Sequence, residues 1–254
     1  MVRGINKFKD YFNDFSENYV IIGGTACEQV FSSAGLEFRA TKDIDIILVV
    51  EALTTDFVRH FWNFIQEGKY RIKQKSSEDR KYYRFLDPED NSFPQQLELF
   101  SRKPDILDIK EGSSLTPIPV GEDLSSLSAI LLNDEYYNLI INNCLNFGGI
   151  QLAKTETLIC LKAKAYIDFA NRKTKGEQVD SKDIKKHRND ILRLVTLLST
   201  ETRILIPDNI RIDLRDFLES LRKSADFHSL TSNIGLKRIS TEELCQQIEK
   251  TFGL

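Results

Sequence analysis

Two aspartates two positions apart are the first residues in this chain whose types and spacing could do chemistry. Asp43 and Asp45 lie in the run 41–50, which is rich in β-branched residues and typical of a strand. Residues two apart in a strand point to the same face, so both carboxylates project together. Because adjacent carboxylates repel one another unless a cation lies between them, the pair predicts a bound metal, and Mg²⁺ is the usual one inside cells.

A glycine pair upstream of the aspartates predicts a phosphate-binding loop. Gly23 and Gly24 end a short apolar run and precede Thr25, which is also expected to cap the next helix. Backbone N–H groups of such a loop can approach phosphate oxygens closely, and the threonine hydroxyl could donate as well, although two glycines can also form a plain turn. Arg39 and Lys42, just before the aspartates, are further candidates for phosphate contact or ordinary solvated charges. A phosphate loop beside two carboxylates predicts metal-assisted phosphoryl or nucleotidyl transfer.

The same residues carry a resemblance to a known superfamily. Gly23-Gly24-Thr25 followed by Asp43-Ile44-Asp45 resembles the signature of the nucleotidyltransferases with a DNA polymerase β-like fold. The stretch 39–46 and its long gap from the glycines are similar to the AbiEii/AbiGii toxin branch. The resemblance implies an Mg²⁺-dependent enzyme that moves a nucleoside monophosphate from an NTP to an acceptor hydroxyl. For that branch the expected acceptor is RNA, plausibly the tRNA 3′ end, and the expected partner is the antitoxin protein of a toxin–antitoxin or phage-defence pair.

The resemblance also implies site residues further along the chain. Glu98, on a later strand, would be the third carboxylate and a metal ligand beside Asp43 and Asp45. Lys162 would lie over the nucleotide phosphates as a point charge, and Asp190 would orient this lysine or the substrate. The ordinary alternatives are an exposed strand glutamate and two charges on solvated helices.

The hydrophobic pattern sets the expected fold class. It predicts helices, strands and a meander up to residue 100, including a strand over 19–22, and then a hairpin with strands over 124–132 and 136–142. From Lys154 onward it predicts helices, among them 181–199 and 241–252, the last with Ser240 or Thr241 as its cap and Glu243 in its first turn. This order is the one that the resemblance implies, so we expect an α/β fold: a nucleotidyltransferase-type mixed sheet with flanking helices, followed by a helical C-terminal domain. The expected domains are a catalytic domain over 1–152 and a helical domain over 153–254 that closes the active site.

Composition favours a globular cytoplasmic protein. The chain has 254 residues with 41% hydrophobic and 29% charged residues, and its four cysteines are scattered without metal-ligand spacing. No apolar run is long enough to span a membrane. The net charge of −3 gives no overall reason to expect nucleic acid, yet residues 154–193 contain 11 basic and 6 acidic residues. That local excess fits either a phosphate-rich acceptor or a solvated helix pair.

Two other functions stay open at this point. One is a nucleotidyltransferase that acts on the hydroxyl of a small molecule or a protein. The other is a non-catalytic nucleotide-binding module that regulates a partner, although such a module has no physical need for two adjacent carboxylates.

Overall fold

The computed structural model describes residues 2–77, 80–101 and 133–254. The chain divides into two compact units. One comprises Met1–Leu124 with Ile140–Lys154, and the other comprises Ser125–Leu139 with Thr155–Leu254. The predicted division into domains 1–152 and 153–254 stays a prediction, and the strand predicted over 124–132 lies outside the described residues.

A mixed sheet forms the centre of the first unit. Over the described residues its seven strands lie in the order β3-β4-β5-β2-β1-β7-β6. The pairs β2–β5 and β1–β7 are parallel, and the other neighbouring pairs are antiparallel. The α/β fold class with a mixed sheet is therefore confirmed. The strands are β1 (Tyr19–Ile22), β2 (Asp43–Leu48), β3 (Arg71–Ser77), β4 (Arg80–Leu86), β5 (Gln96–Ser101), β6 (Cys144–Phe147) and β7 (Ile150–Ala153).

The helices described in the same part of the chain are α1 (Ile5–Phe12), α2 (Gly23–Ser33) and α3 (Thr55–Glu67). The Thr54 side chain caps α3 by accepting a hydrogen bond from the Phe57 N–H at 3.1 Å. Helices α1 and α3 pack together through aromatic rings, with 5.1 Å between the ring centres of Phe12 and Phe64. This apolar layer also takes in β1 and so anchors the strand that leads into the glycine pair. Its most buried rings are Phe8, Phe12, Tyr19, Phe57, Phe61 and Phe64.

The prediction of a strand over 136–142 is wrong, because Asp134–Asn142 form a helix, α4. Its aromatic and β-branched residues favour a strand by type, but they are buried with helical spacing at Tyr136, Tyr137 and Ile140. The Asn133 side chain accepts a hydrogen bond from the Glu135 N–H at 2.8 Å, which satisfies a donor in the first turn. The hairpin that does form here is β6–β7.

The second unit is helical. The expected helices are present, although the one predicted over 181–199 ends earlier, at Val195. The last helix begins with a reciprocal capping box between Ser240 and Glu243. The unit contains α5 (Thr155–Thr174), α6 (Ser181–Val195), α7 (Asp208–Arg222), the short α8 (Leu230–Asn233) and α9 (Thr241–Phe252).

The cysteines pack as core residues. Cys27, Cys160 and Cys245 are buried, Cys144 is half-buried, and none of the four forms a disulfide. Burial raises the pKa of the Cys245 thiol to about 12, so this group stays protonated at neutral pH. Across the described residues, no helix combines the length and apolarity that a membrane span requires.

Candidate functional site

The register of three neighbouring strands places three carboxylates on one face of the sheet. Asp45 of β2 is paired with Glu98 of the parallel strand β5 and with Ile22 of β1. Asp43 lies two residues before Asp45 and shares its face, while Ile44 between them is fully buried on the other side. Asp43, Asp45 and Glu98 therefore lie on neighbouring positions of the same surface.

The glycine pair fits closely against this surface. Gly23 has a φ of +68°, and a Cβ placed on it would lie 1.8 Å from Oδ2 of Asp45. A Cβ on Gly24 would lie 2.6 Å from Oγ1 of Thr41. Glycine at position 23 therefore leaves room for the Asp45 carboxylate at the first turn of α2, where the helix dipole favours negative charge, and glycine at position 24 leaves room for the Thr41 side chain.

Thr25 has a different local role from the expected helix cap. Helix α2 already begins at Gly23, so Thr25 lies inside its first turn. The Thr25 side chain is fully buried, and its hydroxyl donates a 2.6 Å hydrogen bond to the backbone carbonyl of Asp43. This bond ties α2 to β2 and holds the glycine pair beside the aspartates. The hydroxyl proton expected to reach a phosphate is thus used within the protein.

Glu98 is held by an arginine that the sequence alone did not indicate. Its Oε1 accepts hydrogen bonds from Nε of Arg84 at 2.8 Å and from Nε2 of Gln96 at 2.7 Å. Arg84 is paired with Glu98 in the β4–β5 register, so the three charges Arg84, Glu98 and Asp45 lie in a row across the sheet. The only sequence signal was the outward position of Arg84 in an alternating strand.

The carboxylates of the candidate site can be compared with the ligands that Mg²⁺ usually takes. The structure describes no group of three His, Cys, Asp or Glu side chains arranged to hold a metal. Mg²⁺ usually takes one or two protein carboxylates and completes its shell with water and substrate phosphates. Asp43 and Asp45, on one face beside the glycine pair, fit that requirement. Glu98 binds Arg84 and Gln96 through Oε1, so as a third ligand it would use its other oxygen, Oε2.

The contact between Arg84 and Glu98 gives a prediction for stability. The Glu98 side chain is only 8% exposed, so Arg84→Met removes the cation from a nearly buried carboxylate. Because a hydrogen bond to a charged group contributes roughly 1.5–3 kcal/mol, we expect the free energy of unfolding in urea to fall by about 2 kcal/mol. The double variant Arg84→Met/Glu98→Met should recover most of the loss. An Arg84→Met protein as stable as Arg71→Met, which loses only the exposed pair with Asp87, would contradict the prediction.

The two predicted phosphate contacts before β2 lie near its start. The Arg39 guanidinium lies 5.2 Å from the ring centre of Phe38, and Lys42 is exposed. Their contact with phosphate stays a prediction.

Lys162 and Asp190 meet in the helical unit. Lys162 on α5 donates from Nζ to Oδ2 of Asp190 on α6 over 2.8 Å. The two side chains are 7% and 2% exposed, which makes this a buried ion pair. The sequence comparison with the toxin branch proposed both residues, and the structure brings them into contact although they are 28 positions apart.

Comparisons with known proteins leave the family open. No protein-family model matches the chain, and no curated protein sequence matches it either. Among solved structures, an antigenic nucleotidyltransferase-like protein from Paracoccidioides brasiliensis is similar over 97% of this chain and 94% of that chain, with a TM-score of 0.39 and 13% identity. A likeness at this level assigns no family, so the function is argued from the site.

Proposed function

We propose that the chain is an Mg²⁺-dependent nucleotidyltransferase that moves a nucleoside monophosphate from an NTP to an acceptor hydroxyl. One observation carries this proposal: the Asp45 carboxylate lies where a side chain on Gly23 would be, with Asp43 beside it on the same face. In this proposal the carboxylate pair would hold the metal directly beside a glycine backbone that phosphate oxygens could approach. That combination suits the transfer of a phosphorus-containing group.

Each residue of the candidate site has a role in this proposal. The backbone of Gly23 and Gly24 would approach the β- and γ-phosphates, and Asp43 and Asp45 would hold the metal. Mg²⁺ bound there would neutralise the charge of the triphosphate and would lower the pKa of the attacking hydroxyl. Glu98 would hold Arg84 beside the carboxylate surface through Oε1 and would bind a second metal through Oε2. The remaining proposed residues are Thr25, which fixes the glycines against β2, Arg39 and Lys42 for phosphate contact, and Lys162 with Asp190 for nucleotide positioning.

The proposed acceptor is RNA, at the tRNA 3′ end, and the proposed role is that of a cytoplasmic toxin neutralised by a cognate antitoxin. This part rests on the resemblance of residues 39–46 to the AbiEii/AbiGii branch. The local excess of basic residues over 154–193 supports a phosphate-rich acceptor.

A labelling experiment tests the proposal. The purified protein is incubated with each of the four α-³²P-labelled NTPs, Mg²⁺ and total RNA, beside the variant Asp43→Asn/Asp45→Asn. We expect label in a tRNA-sized band with the native protein and none with the variant or with EDTA. The matched control Asp10→Asn/Asp14→Asn removes two exposed carboxylates of the same unit and should label normally.

Two outcomes would count against the proposal. Label on protein instead of RNA would replace the RNA acceptor with a protein hydroxyl. Nucleotide binding without label on any acceptor, in the presence of total RNA, would support the non-catalytic regulatory module instead.

A further inference from the structure

The helical unit contains a cavity that the proposed function does not use. It measures about 240 Å³ and lies where the end of α5 meets the start of α6. Since a water molecule takes up roughly 30 Å³ of liquid, the space could hold a phosphate group with several waters. Its lining residues are Tyr166, Lys173, Ser181, Ile184, Lys185 and Arg188, and none of these six is acidic.

The charged residues that line the cavity are basic. Lys173 and Lys185 are exposed, and Nζ of Lys173 bonds the Ser181 hydroxyl at the cavity wall. Arg188 is only 9% exposed, and its two terminal nitrogens bind the carboxylate of Asp226 at 3.1 and 3.0 Å. Because Asp226 offsets the charge of Arg188, the two lysines leave a net positive charge for an anion.

Arg188 adds an observation that the lysines alone do not give. Its Nε is buried and has no hydrogen-bond acceptor among the described residues. This nitrogen has almost no solvent-accessible surface, so an anion in the cavity would interact with the Arg188 guanidinium through its charge and not by accepting the Nε hydrogen bond. The pairing also affects Asp226: burial tends to raise the pKa of this carboxyl, but the hydrogen bonds and charge of Arg188 hold it below its usual value. The Arg188–Asp226 pair is therefore charged at neutral pH.

The cavity is separate from the buried ion pair on the same helix. Arg188 precedes Asp190 by two residues, which is about 200° around a helix. The cavity therefore lies on a different side of α6 from the contact between Lys162 and Asp190.

We propose that this cavity binds a backbone phosphate of the RNA acceptor and so docks the RNA on the helical unit. The inference rests on the proposed function for its ligand, since lysines that act as point charges and a hydroxyl donor suit a phosphate of any sequence. An RNA phosphate fits better than an apolar or cationic ligand, because Lys173 and Lys185 are cationic and none of the lining residues is acidic.

Binding is measured without chemistry, so that its failure differs from failure of the transferase proposal. Fluorescein-labelled bulk tRNA is titrated with Asp43→Asn/Asp45→Asn protein in EDTA without nucleotide, and anisotropy is followed at several KCl concentrations. In this background we expect Lys173→Ala/Lys185→Ala to raise Kd about tenfold. The logarithm of the association constant falls linearly with the logarithm of the KCl concentration, and the magnitude of that slope should decrease by about one to two. Lys173→Arg/Lys185→Arg should bind like the parent.

The matched control lies on the same helix. Lys182→Ala/Lys186→Ala removes two exposed lysines of α6 that do not line the cavity, with the same change in net charge. It should change Kd by a factor of about two or less. Equal weakening by both double variants, or no change in either, would overturn the proposal.

A second arm separates the RNA from free phosphate. Inorganic phosphate is titrated into the parent and the Lys173→Ala/Lys185→Ala protein by calorimetry. Phosphate binding that depends on these lysines, together with unchanged tRNA binding, would make the cavity a small-anion site and overturn RNA docking. Loss of tRNA binding in the cavity variant alone would support docking even if the labelling experiment failed.

Discussion

Replacing Lys162 by methionine is expected to lower the free energy of unfolding by about 3–5 kcal/mol. Lys162 and Asp190 form an ion pair of 2.8 Å whose side chains are 7% and 2% exposed. Methionine keeps much of the lysine's length but removes the charge, so the Asp190 carboxylate loses its cation in a buried environment. A charge left in such a place has neither water nor its counter-ion to stabilise it. Urea unfolding of the Lys162→Met protein measures the loss.

A double variant distinguishes the cost of the unpaired charge from the cost of changing the side chains around it. Lys162→Met/Asp190→Leu removes both charges and should recover most of the lost stability, since replacing a buried pair by apolar residues is often nearly neutral. The matched control Lys223→Met breaks a pair with Glu219 that is exposed to solvent, and no comparable loss is expected. A loss for Lys162→Met no larger than for Lys223→Met would contradict the buried-pair account.

The same double variant also tests the proposed role of the lysine. If Lys162 contacts the nucleotide phosphates, the double variant should fold like the native protein and still fail to label RNA. Full labelling by a folded double variant would make the pair structural only.

Local sequence signals predicted the strand that leads into the glycine pair and the last helix. The strand 19–22 was predicted with the bounds that the structure has, because a short apolar run before two glycines has few alternatives. The helix 241–252 was likewise predicted from Ser240 or Thr241 as its cap and Glu243 in its first turn. In both cases the residues that signal the end of the element lie within a few positions of that end in the sequence.

Features that depend on pairing between distant residues could not be predicted in this way. The contact between Arg84 and Glu98 follows from the β4–β5 register, which no local pattern gives. The sequence predicted that Thr25 caps a helix. In the structure its hydroxyl instead donates a hydrogen bond to the Asp43 carbonyl, 18 positions away, and so joins a helix to a strand. For residues 136–142, tertiary burial with helical spacing outweighed residue types that favour strands.

Replacing Gly23 by alanine is expected to reduce nucleotide transfer about a hundredfold, because the added methyl would displace the Asp45 carboxylate. The new Cβ would lie 1.8 Å from Oδ2 of Asp45, far closer than two non-bonded atoms approach. The residue also has a φ of +68°, where alanine costs roughly 1–2 kcal/mol more than glycine. The labelling assay measures the loss of transfer, and urea unfolding measures the loss of stability.

Gly35 provides the control that separates these two effects. Its φ is +70°, but a Cβ placed on it would meet no atom within 4 Å. Gly35→Ala should therefore show the backbone cost of about 1–2 kcal/mol and normal transfer. Gly23→Ala should show a larger loss of stability together with loss of transfer, because only there does the methyl meet the carboxylate. If the two variants lost equal stability and both labelled RNA normally, the close contact of Gly23 with Asp45 would have no part in the chemistry, and the observation that carries the transferase proposal would fail.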